Sequence, residues 1–253
     1  MEKFWDIIYD NIRFADVIVE VLDARNPMGT RNKKVENYIQ NQQKKLILIL
    51  NKADLVPIPI IKKWRDLLKI EFDVFYLIGT KKYSESMNLF KKHLFKISRN
   101  HEIKILILGY PNVGKSSIIN SLRMKEITRT SPEAGYTRGK QYVRLSDRIL
   151  LIDSPGVIPI EEEDEISLAL KNAIRVEKIQ DLELVSSKII DLVGKDKISK
   201  FYYIEFSDIN EFLEKFARKR GKLLKGNEPN TEEAARIFIR SFQRNKIPYF
   251  IEP

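Results

Sequence analysis

The sequence predicts an α/β fold, a doubly wound and mostly parallel sheet followed by a small all-helical domain, and three observations predict it. Short apolar, largely β-branched runs recur at Val17–Leu22, Leu46–Leu50, Val74–Ile78, Ile103–Leu108 and Ile149–Ile152, each bounded by turn or helix-start residues. Continuous runs of this length read as strands buried on both faces of a parallel sheet. Helical patterns lie between them, and strands alternating with helices build an open sheet with helices on both faces. The character then changes after about residue 160, where the acidic run Glu161–Glu165 introduces a mainly helical tail.

Taken in order, Met87, Phe90, Leu94 and Ile97 recur on one helical face between the third and fourth runs, and Ser117–Leu122 reads as the start of another helix. Gln141–Leu145, the turn Ser146–Arg148 and the run that follows predict an antiparallel hairpin at the sheet edge. In the tail, Ser207 is the expected N-cap of a helix with the stripe Ile209, Phe212, Leu213 and Phe216, ending before Gly221. Asn230 with Glu233 three residues later forms a capping-box pattern for a second helix carrying Ala235, Phe238, Ile239 and Phe242. The expected domains are 1–162 and 163–253.

Composition narrows the class. Lys and Arg total 45 against 35 Asp and Glu, a net charge of +10 that favours a polyanionic partner. With no cysteine and only His93 and His101, thiolate metal sites, a Cys nucleophile and a multi-histidine centre are excluded. No apolar run approaches the roughly 18 residues of a membrane span. The start MEKFWDIIYD places acids where a signal peptide needs a basic segment. A soluble, cytoplasmic, monomeric protein without membrane association is the expectation.

Gly109-Tyr110-Pro111-Asn112-Val113-Gly114-Lys115-Ser116 fits G-x-x-x-x-G-K-[ST], and it follows a predicted strand and opens a predicted helix. Such a loop needs glycines because its backbone N–H groups must wrap phosphate oxygens. Lys115 is expected between the β- and γ-phosphates and the Ser116 hydroxyl on Mg²⁺, with Val113, Gly114 and Ser117 completing the cradle. The helix N-terminus adds partial positive charge.

Asn51-Lys52-Ala53-Asp54 follows the strand Leu46–Leu50. An N-K-x-D at a strand end suits guanine, because the Asp54 carboxylate can accept from N1–H and the 2-amino group together. Adenine lacks that donor pair and would leave the carboxylate unpaired. The Lys52 stem can cover the base, and Asn51 can tie this loop to the phosphate loop. Gly79-Thr80-Lys81, ending the strand Val74–Ile78, can offer backbone N–H groups to the guanine carbonyl.

Asp153-Ser154-Pro155-Gly156 is a D-x-x-G after the strand Ile149–Ile152. Asp191-Leu192-Val193-Gly194 matches the same pattern but follows no buried strand. Asp153 is therefore assigned to Mg²⁺ and the Gly156 N–H to the γ-phosphate. Thr137 is the candidate switch threonine that closes over Mg²⁺. Asn51, Gly79, Gly109 and Asp153 all fall just past predicted strand ends, the edge where open α/β sheets bind ligands.

The base-reading segments precede the phosphate loop, the reverse of the order in ordinary regulatory GTPases. This order resembles the circularly permuted GTPases of the YlqF/RbgA (YawG) family, in the form of the nucleolar large-subunit-assembly branch, over nearly the whole chain. Asp23-Ala24-Arg25-Asn26-Pro27 is similar to its D-A-R-x-P signature, and Gly109–Ser117, Asp153–Val157, Gly221–Gly226 and Arg244–Pro248 match as well. The resemblance implies a P-loop NTPase fold with a permuted G domain, GTP hydrolysis in late assembly of the large ribosomal subunit, and rRNA as partner. It also implies that Asn112 ligates a K⁺. Bacterial members carry an N-terminal histidine implicated in hydrolysis, and the start of this chain has none.

Val157 stands where many GTPases place a water-orienting Gln, so slow intrinsic hydrolysis is expected, with Lys115, Thr137 and Gly156 as the catalytic set. For RNA, Arg218, Lys219, Arg220, Lys222 and Lys225 crowd one helix end, and Arg236, Arg240 and Arg244 recur every four residues on a second helix. The rival classes are two: a regulatory GTPase with a protein effector and no ribosomal partner, and a binding module with a degenerate nucleotide site, against which the complete set Asn51, Asp54, Lys115, Ser116 and Asp153 speaks.

Overall fold

The computed structural model describes residues 2–81, 84–123, 141–153 and 164–253. Thr137, Gly156 and Val157 lie outside the described residues. From the N-terminus the elements are α1 (Glu2–Phe14), β1 (Val17–Asp23), α2 (Pro27–Thr30), α3 (Lys33–Asn41), β2 (Lys45–Asn51), α4 (Ile58–Leu68), β3 (Asp73–Tyr76), α5 (Glu85–Ser98), β4 (Ile103–Leu108), α6 (Lys115–Leu122), β5 (Gln141–Ser146) and β6 (Ile149–Asp153). The helical tail supplies α7 (Glu165–Leu170), α8 (Leu182–Val193), α9 (Lys195–Tyr202), α10 (Ile209–Lys219) and α11 (Thr231–Gln243).

The strands form one sheet in the order β3-β2-β1-β4-β6-β5. All neighbours are parallel except β5 and β6, the expected edge hairpin. Val17, Val19, Val21, Ile47, Ile49, Ile105 and Ile107 pack on Met87, Phe90, Leu94 and Ile118. The stripe expected of α5 thus meets the sheet, and Ser84 caps that helix by accepting from the Met87 N–H at 3.2 Å. Strand β3 begins and ends earlier than its apolar run. Leu77 still donates to the Leu50 carbonyl at 2.8 Å before the chain turns away.

One residue of β1 breaks the apolar pattern. Glu20 is fully buried, and its Oε1 accepts the Asn32 N–H at 3.0 Å. Burial and the neighbouring Glu36 carboxylate push its pKa well up.

Packing divides the chain into Met1–Pro159 with Ile251–Pro253, and Ile160–Phe250. The last three residues, expected in the helical domain, belong to the first unit: Ile251 donates to the Arg25 carbonyl at 2.8 Å and accepts from Trp64 Nε1 at 2.8 Å. Long-range pairing of this kind leaves no local sequence signal.

The second unit has its own core, with Phe212, Phe216, Phe238 and Phe242 buried among α8, α10 and α11. The cap of α10 is Asp208 rather than Ser207: its Oδ1 accepts from the Glu211 N–H at 3.0 Å. Ser207 instead donates from its backbone and its hydroxyl to the Glu211 carboxylate. Asn230 caps α11 as expected, accepting from the Glu233 N–H at 2.9 Å. The second D-x-x-G copy lies at the C-terminal end of α8, a helix stop.

Candidate nucleotide-binding site

The parallel register sets Asp23 opposite Asn51 at the carboxyl ends of β1 and β2, while β4 joins β1 on the other side. A reversal of strand order at that edge opens a crevice where ligands bind. The phosphate loop leaves β4 there, and its two glycines have different reasons to be glycine. At Gly109 (φ +150°) a Cβ would stand 2.5 Å from the Val21 carbonyl oxygen of β1. At Gly114 (φ +102°) it would stand 2.1 Å from Asn51 Nδ2.

Asn51 is the brace of the site. It is 2 % exposed, donates from Nδ2 to the Val113 carbonyl at 2.8 Å and accepts from the Gly79 N–H at Oδ1, also at 2.8 Å. One amide side chain therefore holds together the loops after β2, β3 and β4. Ser121 of α6 donates to the Gly79 carbonyl at 2.6 Å and closes the same bracket. This corrects one expectation: the Gly79 N–H serves Asn51 and is not offered to a base.

Asp54 lies in the short 3₁₀ turn Ala53–Leu55 and is exposed, as is Thr80 beside Gly79. Lys52 adopts left-handed backbone (φ 61°), and Ala53 donates to the Leu77 carbonyl at 3.1 Å. The Lys52 ammonium is fixed by Asp23 at 2.8 Å, which leaves its methylenes as the part that can lie on a base.

Asp23 also accepts from Arg25 Nε at 2.9 Å and Nη2 at 2.7 Å. Burial alone would raise this carboxyl, but the Arg25 guanidinium and the Lys52 ammonium hold it down at about 2. Burial lowers Lys52 in turn, against the pull of Asp23. Asp23 and Arg25 were not among the site residues expected from sequence. The signal was available, since Asp23 ends a buried strand at the same edge as the other motifs.

Lys115 opens α6 and folds back over the loop, donating to the carbonyls of Gly109 at 2.9 Å and Tyr110 at 2.6 Å. Burial lowers its pKa to about 8. Ser116 is exposed, Ser117 half-buried, and Asn112 is exposed in left-handed backbone (φ 60°). The backbone of Asp153 ends β6 at the same sheet edge.

In the helical unit the basic residues divide into two groups. Arg218, Lys219, Arg220, Lys222 and Lys225 are all exposed at the end of α10 and in the loop after it. The stripe on α11 is charge-compensated where it was expected to be open. Arg236 pairs with Glu232 at 2.8 Å and Arg240 with Glu177 at 3.0 Å, while Arg244 is exposed. Helical spacing located the stripe, but Glu177 comes from a distant segment.

A phosphate loop and an N-K-x-D turn, braced by one asparagine at the ligand edge of a parallel sheet, define a guanine-nucleotide-binding domain of the P-loop class in permuted order. The 50S ribosome-binding GTPase family matches residues 104–224. The whole chain is 37% identical over 261 residues to nucleolar GTP-binding protein 2 of Pneumocystis carinii, covering 54% of that protein. It is 35% identical over 259 residues to nuclear/nucleolar GTPase 2 of Arabidopsis thaliana, covering 45%. The chain thus spans about half the length of the curated relatives it matches. The crystal structure of GNP-bound YlqF from T. maritima superposes with a TM-score of 0.69 at 30% identity, covering 96% of this chain and 94% of that one. A GDP-bound YlqF structure gives 0.71 at 30% identity, covering 98% and 99%.

The chain belongs to the YlqF/RbgA family of circularly permuted GTPases, and the curated relatives it matches are named as nucleolar or nuclear GTPases. The expectation of a cytoplasmic protein is overturned, because the matched relatives are named as nuclear or nucleolar GTPases. Charge balance and the lack of an apolar span exclude no compartment, which is why composition misled. Among the described residues no helix is long and apolar enough to cross a membrane.

Proposed function

We propose that this chain binds and hydrolyses GTP and assists late assembly of the large ribosomal subunit by nucleotide-dependent binding to rRNA. The observation that carries the nucleotide part is the Asn51 brace, which couples the base-reading turn to the phosphate cradle. Asp54 would read the guanine N1–H and 2-amino group, with the Lys52 stem against the ring. Lys115, released from the Gly109 and Tyr110 carbonyls, would bind the β- and γ-phosphates between Asn112 and Ser117. Gly109 and Gly114, where a Cβ would run into the Val21 carbonyl and Asn51, let the loop pack directly on β1 and on its brace, and the oxygen donors of Ser116, Thr137 and Asp153 suit a hard cation.

Bound Mg²⁺ would supply charge against the phosphate oxygens. Gly156 would hold the γ-phosphate through its N–H, and Asn112 would hold K⁺. With Val157 unable to orient water, slow hydrolysis by the isolated protein follows, and the particle supplies the missing order. Turnover measured in K⁺ and in Na⁺, each with and without large subunits, should rise with K⁺ and rise again with particles. Equal rates in all four conditions would remove the proposal. Co-sedimentation with large subunits in a non-hydrolysable GTP analogue separates it from the reading in which a protein effector is the only partner.

The lowered pKa of Lys115 gives this site a pH signature. Its ammonium must be charged to hold phosphate. Below pH 8 the empty site is already protonated and GDP affinity stays flat on this account. Above pH 8 each binding event must take up a proton, so affinity falls by up to about tenfold per pH unit until the pKa of the complex is reached. Calorimetry at pH 9 in two buffers of different ionisation enthalpy should show the uptake. Pure buffer-independence there would remove Lys115 as the proton acceptor.

A further inference from the structure

Tyr203 is 86% exposed, the most open large side chain among the described exposed hydrophobics. It follows α9 as its C-cap in left-handed backbone, φ 52° and ψ 50°. That position favours glycine or asparagine, and a bulky aromatic there is a backbone outlier. A strained, solvent-exposed ring contributes nothing to the core, so the fold offers no reason for it. The surroundings do. Lys219 donates from Nζ to the Tyr202 carbonyl at 2.6 Å and the Tyr203 carbonyl at 3.3 Å, which holds its ammonium 5.4 Å from the centroid of the Tyr203 ring. Arg220, next along the chain, is held over Phe216 at 5.2 Å and Tyr202 at 5.9 Å. Exposed Lys222 and Lys225 follow in the adjoining loop.

We propose that Tyr203 is a stacking platform for one unpaired nucleobase, with Lys219 and the cations after it receiving the flanking phosphates. This deepens the rRNA-binding reading and rests on it. An aromatic face beside a row of cations is the arrangement that binds single-stranded nucleic acid, since every base has a π-face and each nucleotide a phosphate. A protein partner with an acidic surface can also bury a tyrosine ring, but a nucleotide carries a base and a phosphate together and so matches the open ring and the adjoining cations as one unit.

The test uses the full chain and two RNA probes of equal length and charge per strand, a single-stranded 12-mer and the fully paired duplex of the same sequence. Tyr203→Gly suits the left-handed backbone, so loss of fold does not confound it, and circular dichroism with the melting temperature verifies this. Wild type should prefer the single strand. Tyr203→Gly should bind the single strand five- to tenfold more weakly with an unchanged slope of log affinity against log salt, and should bind the duplex as before. Tyr203→Phe should restore single-strand binding. Lys222→Glu with Lys225→Glu should weaken both probes and flatten the salt slope.

If Tyr203→Gly binds the single strand like wild type while the Lys pair matters, RNA binding stands and the platform is overturned. If wild type binds neither probe, the rRNA reading fails and the platform with it.

Discussion

Asp54→Asn is expected to cut GDP affinity by about two to four orders of magnitude and to raise affinity for xanthosine diphosphate. The carboxylate can accept two hydrogen bonds from guanine, each worth about 1.5–3 kcal/mol when one partner is charged. An amide in its place turns one acceptor into a donor, which clashes with the guanine 2-amino group and matches the 2-oxo group of xanthine. Asp54 is exposed in its 3₁₀ turn, so the melting temperature of the free protein should not change. Fluorescence titration with labelled GDP and xanthosine diphosphate reads both arms. An unaltered preference for guanine would remove Asp54 from the base site.

Asn51→Ala should cost about 2–6 kcal/mol of stability and weaken GDP binding more than tenfold. The variant leaves the Val113 carbonyl and the Gly79 N–H without their partner in a buried place, and each such orphan costs roughly 1–3 kcal/mol. Nucleotide affinity falls because the base-reading turn and the cradle lose their common brace. Asn51→Asp makes the point sharper. It keeps an acceptor for Gly79 but turns an oxygen towards the Val113 carbonyl, so it should be as damaging at neutral pH. Its stability relative to wild type should recover as pH falls and the new carboxyl gains a proton to donate. Urea melts at two pH values measure this, and equal deficits at both would argue that Val113 is not the partner that matters.

Much of this architecture is legible before any coordinates. The apolar runs at 46–50 and 103–108 become β2 and β4 because nothing but a doubly covered strand buries them on both faces. Met87, Phe90 and Leu94 fall on the buried face of α5 because helical period alone puts them there. The D-x-x-G at Asp153 could be chosen over the copy at Asp191 by its preceding strand, and the second copy is indeed a helix end.

What failed was of another kind. Glu20 hides in an apolar run because its backbone partner, the Asn32 N–H, comes from a segment twelve residues further along the chain. The α11 stripe looked open because Glu177 reaches it from outside the helix. The Gly79 N–H looked available because its acceptor lies 28 residues earlier in the chain.

The residues alone determined that strands alternate with helices, and they carry the expectation that glycines with Lys115 cradle phosphate and that Asp54 reads guanine. Such signals arise from spacing and chemical type within a few turns of chain. Tertiary structure decided which polar groups remain free to meet a ligand. Asn51 consumes the N–H of Gly79, Asp23 captures the ammonium of Lys52, and Glu232 and Glu177 neutralise two arginines. A buried donor or acceptor must find some partner, and only the fold determines which one comes within reach.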